Sequence, residues 1–371
     1  MSRHYDVAIV GGYGEVGIHT ARYLEEQGHR VVVGGRSPAK GRDVMNRERI
    51  DAAVTHLDLY DPNSLAAFCG SAKLVINTAG PSSSIEDRIA QAAVDAGSHF
   101  IDVGIMEVLD KQMAEREEEL KQKDLACIYG TGLHPGLDDI IAQYADIQAS
   151  KELDELDSLE VFFGDKSPWN GKGSLRDIVW GFHEGALSMY FGFLKDGKYK
   201  QANLFNGFKK VYFEEVSRLR WALMYQPLLA HLGNRYTTVA SWGWYDFSII
   251  LSSLWTKYRF KPGSDDGVDY MYRKIVERNQ AYEHLDTDTF LYVIVKGKKA
   301  GRHKELEYRI VLPRNRGYWV VGIVPAIAAD WLLKGRIGFR GAGGLVKLVD
   351  PMDFMDEMAK FGVGVAFRER V

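Results

Sequence analysis

The sequence is poor in cysteine and lacks several catalytic signatures. Its only cysteines are Cys69 and Cys127, which do not form a C-x-x-C pair. This scarcity argues against a disulfide framework and against a cysteine zinc site, and it is typical of proteins in a reducing compartment. The ten histidines form no H-x-x-x-H or H-E-x-x-H pair, and neither G-x-S-x-G nor a Walker-type G-K-[ST] occurs. A catalytic metal, a serine hydrolase and a P-loop enzyme are therefore not expected.

Long apolar runs and excess charge are also absent. No apolar run reaches the roughly twenty residues that a membrane-spanning helix needs. A strand-like segment begins within the first few residues, which leaves no space for a signal peptide. The net charge of −3 gives no reason to expect a polyanionic partner. We expect a cytoplasmic protein that neither spans a membrane nor binds nucleic acid.

What the sequence does contain, from residue 5 to about residue 130, is a regular alternation of short apolar runs with helical periods. The apolar runs predict strands at YDVAIVGG, RVVVGGR, VTHLDLYD, KLVINTAG, SHFIDVG and LACIYGTG. Strands that alternate with helices form parallel sheets joined by right-handed crossovers. We therefore predict an α/β protein with a doubly wound parallel sheet.

A different pattern begins near residue 150. DSLEVFFG reads as a strand, and TFLYVIVKG, KELEYRIVLP and RGYWVVGI predict a three-stranded antiparallel meander. Near the C-terminus, DPMDFMDEMAKFG predicts a helix with Asp350 as its N-cap and Pro351 at its first position. The boundary near residue 150 is a change of pattern and not a flexible linker.

Aromatic residues cluster between residues 160 and 260, where Trp169, Trp180, Trp221 and Trp242 lie among many tyrosines and phenylalanines. One interpretation is a deep apolar channel for a long-chain or aromatic substrate. The other is a helical core or a subunit interface, where tryptophan and tyrosine are also enriched. The second interpretation is the simpler one.

A G-x-G-x-x-G motif, formed by Gly12, Gly14 and Gly17, lies between a predicted strand at residues 5–10 and a predicted helix at residues 15–27. This context distinguishes a dinucleotide fingerprint from a chance match. The first glycine permits the tight turn, the second lets the backbone approach the pyrophosphate, and the third allows close helix–strand packing. The helix N-terminus offers free N–H groups to the phosphates.

The end of the second strand indicates which dinucleotide binds. NAD-preferring sites place an acidic residue there, which bonds the ribose 2′-hydroxyl. In this sequence the strand reads RVVVGGRS, so no acid stands there: Gly34 and Gly35 fill the space, and Arg36 and Ser37 follow. A guanidinium grips a 2′-phosphate that a carboxylate would repel. NADP is therefore the expected cofactor.

Two further segments, which follow the third and fourth predicted strands, are expected to lie near the cofactor. Asp58, after the third strand, is expected to border the adenine or simply to form a turn. Ala79, Gly80 and Pro81, after the fourth, are expected near the ribose and nicotinamide, because ligands bind outside the carboxyl ends of the strands. The predicted cofactor-binding residues are Gly12, Tyr13, Gly14, Glu15, Val16, Gly17, Arg36, Ser37, Asp58, Ala79, Gly80 and Pro81.

Three residues are candidates for the proton donor that hydride transfer requires. Asp102, His134 and Asp138 follow consecutive predicted strands, so they are expected to converge on the nicotinamide side of the sheet. Histidine suits this role because its side chain ordinarily titrates near pH 6.5. The alternative is that His134 caps the following helix and Asp138 only occupies its first turn.

The motifs GGYGEVG, VVVGGRS, LDLYDPNSL, NTAGP, AAVDAGSHFIDV and GTGLHPGLDDIIAQYA occur in the order found in saccharopine dehydrogenase-like oxidoreductases. RGYWVVGIVPAIAADWLLKGRIG resembles that family's return to the first domain. By this resemblance, Asp102 matches the aspartate of the family's Y-x-D-x-x-G-E type segment, although Glu107 is displaced. His134 stands where the family's D-P-G segment has an acid.

The resemblance implies a Rossmann-type NADP-binding domain formed by residues 1–135 and 325–371. It also implies an inserted α+β domain, residues 136–324, that carries the substrate and forms a homodimer. The implied activity is NADP(H)-dependent hydride transfer to a C=N, C=O or C=C bond of a small molecule. Two alternatives remain: a non-catalytic NADP(H)-binding sensor or regulatory protein, and an enoyl reductase-like enzyme that acts on a lipid or polyketide.

Overall fold

The structure is a computed structural model. The residues it describes are 3–104, 107–165, 176–177, 191–203, 206–214, 217–224, 227–244, 251–252, 255–256, 258–261, 264–280 and 287–370. The two long aromatic segments of the sequence, LRDIVWGFHEGALSMYFGFL and WYDFSIILSSLWTKYRF, lie largely outside these ranges.

Strands and helices alternate through most of the first half of the chain and then give way to a region rich in strands. From the N-terminus to residue 152 the elements are β1 (Tyr5–Val10), α1 (Glu15–Glu26), β2 (Val31–Gly35), α2 (Pro38–Glu48), β3 (Ala52–His56), α3 (Pro62–Gly70), β4 (Ala72–Asn77), α4 (Ser82–Ile85), α5 (Arg88–Asp95), β5 (His99–Asp102), α6 (Glu107–Glu115), α7 (Glu117–Gln122), β6 (Ala126–Tyr129) and α8 (Leu137–Glu152). From residue 155 onward they are β7 (Glu155–Asp165), β8 (Gly192–Lys195), β9 (Lys198–Gln201), β10 (Phe208–Phe213), β11 (Ser217–Met224), β12 (Thr238–Trp244), α9 (Asp265–Gln280), β13 (Thr287–Lys299), β14 (Arg302–Pro313), α10 (Gly317–Leu333), β15 (Gly341–Gly344), α11 (Pro351–Ala359) and β16 (Ala366–Arg370).

The chain divides into two compact units. Unit 1 contains residues 1–137 and 318–349, and unit 2 contains residues 138–317 and 350–371. Within the described part of the chain, no helix is both long and apolar enough to cross a membrane.

Unit 1 is built on a parallel sheet with strand order β15-β6-β5-β4-β1-β2-β3, seven strands among the described residues. The central strand β1 pairs with β2 on one side and β4 on the other, and Val7, Ala8, Ile9 and Val10 are at most 2% exposed. Such burial on both faces explains why these strands read as continuous apolar runs. The predicted doubly wound α/β sheet is confirmed.

Helix α10 belongs to unit 1 from Tyr318 onward and lies directly on α1. A Cβ atom on Gly322 would lie 2.6 Å from the Val16 carbonyl oxygen. The Thr20 hydroxyl donates a hydrogen bond to the Gly322 carbonyl at 3.0 Å. The expected return of the C-terminal region to the first unit is therefore made by α10 and by β15, which pairs in parallel with β6.

Falling pH is expected to destabilise unit 1 through His99. His99 Nδ1 accepts a hydrogen bond from the Ala126 N–H at 3.0 Å, and burial lowers the pKa of His99 from 6.5 to about 4. Between pH 6.5 and pH 4, His99 is therefore protonated in the unfolded chain and neutral in the folded chain. The free energy of unfolding should drop across this window by at most about 3 kcal/mol.

The variant His99→Asn tests this origin because it keeps an acceptor atom near Nδ1 and removes the titrating ring. Urea unfolding at neutral pH and at about pH 4.5 should show a smaller acid-induced loss than in the unchanged protein. His303→Asn, at an exposed position of unit 2, is the matched control. An equal loss in all three proteins would show that His99 does not cause it.

Unit 2 contains a mixed sheet with main strand order β10-β11-β12-β7-β13-β14-β16, extended among the described residues by β8 and β9. A cluster of aromatic side chains fills one face. The Phe213 and Tyr292 rings stack with centroids 3.9 Å apart, and Phe162 stacks on Trp242 at 6.2 Å. The buried aromatic residues of this cluster therefore form a core on the sheet, not the helical core that the simpler interpretation named, while Tyr199, Tyr212, Trp255 and Tyr258 are exposed.

Two sequence predictions about the C-terminal half differ from the structure. RGYWVVGI is not the third strand of a meander, because residues 317–333 form α10. The apolar run continues for a full helix length, and a short apolar run does not distinguish a buried strand from a buried helix. The strand that does pair with β14 on its outer side is β16.

The second difference concerns residues 350–371, which were expected in the first domain and belong to unit 2. Helix α11 starts as predicted, with the Asp350 side chain accepting hydrogen bonds from Met352 and Asp353 N–H. The strand β16 that follows it brings Arg368 Nε to 2.7 Å from the fully buried Glu307 carboxylate. A buried carboxylate needs such a partner, and Arg368 of β16 supplies one.

Candidate cofactor-binding and active site

The turn between β1 and α1 is so tight that two of its glycines have no room for a side chain. A Cβ atom on Gly12 would lie 2.5 Å from Val33 Cγ1 in β2. A Cβ atom on Gly17 would lie 2.5 Å from both the Gly11 carbonyl oxygen and Gly12 Cα. Because nothing larger than hydrogen fits at these positions without a shift, the two glycines permit the tight turn and the close packing of α1.

The N-terminus of α1 carries three of the predicted cofactor-binding residues. Gly14 is the N-cap and contributes no capping side chain, while Glu15 and Val16 form the first turn. The first N–H groups of a helix have no partner within the helix. Gly14 and Glu15 are exposed, so this end of the helix is accessible to an anion such as a pyrophosphate.

The end of β2 has no space for an acidic side chain. A Cβ atom on Gly34 would lie 2.6 Å from the Phe68 ring, and one on Gly35 would lie 2.2 Å from the Tyr13 hydroxyl oxygen. An aspartate or glutamate that binds the 2′-hydroxyl of NAD therefore cannot stand at either position without a rearrangement. The packing around Gly34 and Gly35 therefore agrees with the absence of an acid at the end of β2.

The residues that follow β2 are cationic and exposed. Arg36 and Ser37 are both exposed, and Arg36 forms no ion pair with the part of the chain that the structure describes. Ser37 is the N-cap of α2, but its side chain makes no capping hydrogen bond. A guanidinium, a hydroxyl and a helix N-terminus thus lie together, which is a composition suited to a phosphate.

Asp58 forms a turn after β3. Its Oδ1 accepts a hydrogen bond from the Tyr60 N–H at 2.9 Å, and its own N–H donates to the Ser64 hydroxyl at 3.1 Å. The turn-forming alternative for Asp58 is therefore present in the structure. A contact between Asp58 and an adenine stays a prediction.

The segment after β4 lies beside the glycine loop. The Thr78 N–H and hydroxyl both donate to the Val10 carbonyl, at 3.0 and 2.8 Å. A Cβ atom on Gly11 would lie 3.0 Å from Ala79 Cβ. The structure therefore brings Ala79 and the following residues 80–81 to the same edge of the sheet as the glycine loop, where the sequence placed them.

Asp102 is almost completely buried and both of its carboxylate oxygens accept hydrogen bonds. Oδ2 accepts from Asn77 Nδ2 at 2.9 Å, and Oδ1 accepts from the Gly104 N–H at 2.8 Å. The Thr131 hydroxyl donates to the Asp102 carbonyl at 2.8 Å. The carboxylate thus braces the loops after β4 and β5, and the Asp102 backbone binds the start of the loop after β6.

His134 lies in a tight loop, residues 132–136, that follows β6. The Gly132 N–H donates to the Pro135 carbonyl at 3.0 Å, and Gly136 has a φ of +139° with its Cβ position blocked by the Gly132 carbonyl. His134 is half-buried. Helix α8 begins at Leu137, three residues after His134, so the capping alternative for His134 stays a prediction.

The loops that carry Asp102 and His134 adjoin, because the Gly130 N–H donates to the Gly104 carbonyl at 2.8 Å. Asp138 is different. It is the second residue of α8, has no exposed surface, and accepts a hydrogen bond from the Asp139 N–H at 3.0 Å. An acid in the first turn of a helix is stabilised by the helix dipole, as the alternative for Asp138 expected.

Sequence reasoning missed Asn77 and Thr131 as members of this region. Asn77 is 1% exposed, and its Oδ1 accepts from the Ala79 N–H at 3.0 Å while its Nδ2 donates to Asp102. The signal was available: a polar residue ends the otherwise apolar strand KLVIN. Thr131 gave no comparable signal, because threonine is common after any strand.

Comparison with protein-family models gives a match to most of the N-terminal segment of unit 1. Residues 7–128 match the saccharopine dehydrogenase NADP-binding domain. Among solved structures, apo saccharopine dehydrogenase (L-Glu forming) from Saccharomyces cerevisiae superimposes with a TM-score of 0.67 over 99% of this chain and 100% of that one, at 13% identity. Residues 7–128 therefore form a domain of the saccharopine dehydrogenase NADP-binding type, and the yeast structure shows that the fold of the chain is shared.

A curated relative from Arabidopsis thaliana supports the same assignment. This probable mitochondrial saccharopine dehydrogenase-like oxidoreductase is 26% identical over 133 residues, which are 31% of this chain and 29% of the relative. The match therefore covers less than a third of the relative's length. At 13% identity, the yeast structure shows that the two proteins share a fold and does not transfer a substrate.

The residues of the saccharopine dehydrogenase-like domain fit the NADP that its family model names. The glycine loop has no side chains where the pyrophosphate approaches, and the end of β2 excludes a carboxylate while Arg36 follows it. Both features suit a dinucleotide with a 2′-phosphate. Within the described ranges, no group of three or more histidine, cysteine or acidic side chains is placed to hold a metal ion.

Proposed function

We propose that this protein is an NADP(H)-dependent oxidoreductase that transfers hydride to a C=N, C=O or C=C bond of a small molecule. The observation that carries the proposal is the end of β2. There the contacts of Gly34 and Gly35 exclude an acid, and Arg36 is exposed and unpaired among the described residues. The saccharopine dehydrogenase-like oxidoreductase of Arabidopsis thaliana is a relative with this type of activity in its name.

The cofactor supplies the hydride, and the chain supplies binding and a proton. We assign the pyrophosphate to the loop of Gly12, Gly14 and Gly17, and the 2′-phosphate to Arg36 and Ser37. Oriented binding of this kind is the main contribution of the protein to hydride transfer.

Among the three candidate proton donors, His134 is the one the geometry favours. It is half-buried, whereas Asp102 and Asp138 are buried, and its loop adjoins the loop of Asp102. The Asp102 carboxylate already accepts hydrogen bonds on both oxygens, and Asp138 has no exposed surface. We therefore assign Asp102 to positioning and His134 to proton donation.

Cofactor titration is the direct test of the proposal. NADPH is expected to bind at least about tenfold more tightly than NADH, because charge-assisted hydrogen bonds to the 2′-phosphate are lost with NADH. Arg36→Ala should weaken NADPH binding about tenfold and change NADH binding less than about twofold. Calorimetry or nicotinamide fluorescence measures both dissociation constants.

Arg302→Ala, at an exposed position of the β13–β14 hairpin, is the matched control and should bind both cofactors unchanged. Absence of saturable NADPH binding, or equal affinity for NADH, would contradict the proposal. NADPH oxidation is then followed with a panel of imines, ketones and enoyl thioesters. Oxidation with one class identifies the bond reduced, and tight binding without any oxidation indicates the cofactor-sensing alternative.

We further propose that unit 2 carries substrate contacts and that the protein is a cytoplasmic homodimer. Both statements stay predictions from the sequence. Sedimentation of the purified chain tests the homodimer.

A further inference from the structure

Tyr13, the middle residue of the first G-x-G, is held against the turn that follows β2. Its hydroxyl oxygen accepts a hydrogen bond from the Ser37 N–H at 2.9 Å. A Cβ atom on Gly35 would lie 2.2 Å from this oxygen, and a Cβ atom on Gly41 would lie 2.9 Å from Tyr13 Cδ1. The Tyr13 ring therefore occupies a slot that exists only because both neighbours are glycine.

The turn itself is fixed at three points. The Gly35 carbonyl accepts from the Leu57 N–H, the Ser37 carbonyl accepts from the Gly41 N–H, and the Ser37 N–H donates to Tyr13. The first two bonds extend the sheet and α2, whereas the third comes from the glycine loop. Tyr13 thus ties the loop that approaches a pyrophosphate to the turn that carries Arg36.

The Tyr13 hydroxyl has one hydrogen-bonding function left. A phenolic oxygen both accepts and donates. Its acceptor function is used by the Ser37 N–H, and its proton has no acceptor in the part of the chain that the structure describes. A donor fixed in place between Arg36 and the glycine loop is pre-organised for an anionic oxygen.

We propose that Tyr13 is a specificity-determining residue, which donates its hydroxyl hydrogen bond to the 2′-phosphate of NADPH while the Ser37 N–H holds its oxygen in position. The inference rests on the proposed function, since it assigns one more contact to the same cofactor. NADH lacks the 2′-phosphate, so the contact discriminates between the two dinucleotides and does not add to binding in general.

The test compares Tyr13→Phe with the unchanged protein for four probes: NADPH, NADH, adenosine 2′,5′-bisphosphate and 5′-AMP. The variant keeps the ring in its slot and removes only the hydroxyl. The two probes with a 2′-phosphate should bind about tenfold more weakly, as expected for a lost hydrogen bond to a charged group. NADH and 5′-AMP should change less than about twofold.

Tyr258→Phe, which removes the hydroxyl of a tyrosine that is 84% exposed in unit 2, is the matched control and should leave all four affinities unchanged. If Tyr13→Phe binds the phosphorylated probes as tightly as the unchanged protein, or weakens all four probes equally, the inference is wrong. If the unchanged protein does not bind NADPH at all, the proposed function itself fails, and the two failures are thereby distinguished.

Discussion

Replacing Gly17 with alanine is expected to abolish NADPH binding and to destabilise unit 1 by about 3 kcal/mol, the upper part of the range for overpacking. The new methyl group would lie 2.5 Å from the Gly11 carbonyl oxygen and from Gly12 Cα. Both are backbone atoms, so no side-chain rotation relieves the contact. Only separation of α1 from the loop can do so, and that separation displaces the N–H groups that face a pyrophosphate.

Gly338→Ala is the matched control for this variant, because a Cβ atom there meets nothing within 4 Å and the residue lies in the same unit. Its unfolding and its NADPH affinity should equal those of the unchanged protein. Urea unfolding and calorimetric titration give the two quantities. A Gly17→Ala protein that still binds NADPH within about twofold would show that the close approach has no part in cofactor binding.

Asp102→Asn is expected to lower the free energy of unfolding by about 2 kcal/mol, the cost of a buried donor without a partner. The single oxygen of the new amide at position 102 accepts the hydrogen bond from the Gly104 N–H. The NH₂ group of that amide then faces the NH₂ group of Asn77, and neither can accept. Rotation of the Asn77 amide would restore that contact but place its NH₂ group against the Ala79 N–H. One hydrogen bond is lost in either arrangement. Urea unfolding measures the loss.

The double variant Asn77→Asp/Asp102→Asn separates positioning from catalysis. In this variant the carboxylate stands at position 77, where it accepts hydrogen bonds from the Ala79 N–H and from the NH₂ group of the amide at position 102. The oxygen of that amide accepts from the Gly104 N–H, so every donor has an acceptor again. Most of the lost stability should therefore return. If Asp102 only positions the loops, NADPH oxidation returns as well. If stability returns and oxidation does not, the carboxylate at position 102 takes part in the reaction and the assignment to positioning is wrong.

Several features of the fold were fixed by local sequence chemistry. Alternating apolar runs and helical periods predicted the parallel sheet of unit 1, because strands buried on both faces and amphipathic helices have different periods. The G-x-G-x-x-G motif between a strand and a helix predicted the tight turn, and the Asp350–Pro351 pair predicted the start of α11. Each of these signals depends on residues close together in the chain, so the sequence alone was sufficient.

Other features were decided only by contacts between distant residues. RGYWVVGI forms the start of α10, where Gly322 packs against α1, and the run itself does not show this contact. The short glycine-rich strand β15 has no strand pattern of its own and exists through its pairing with β6. The C-terminal strand β16 joins unit 2 by pairing with β14, where Arg368 lies beside the buried carboxylate of Glu307.

The same division applies to the candidate site. The sequence by itself determined the glycine loop and the absence of an acid before Arg36. Both depend on neighbouring residues, and both indicate directly which phosphate groups can bind. Only the tertiary structure decided what Asp102 and Tyr13 do. Their hydrogen-bond partners, Asn77 and Ser37, come from other strands and turns. A side chain's role follows from the groups that satisfy it, and folding alone brings those groups together.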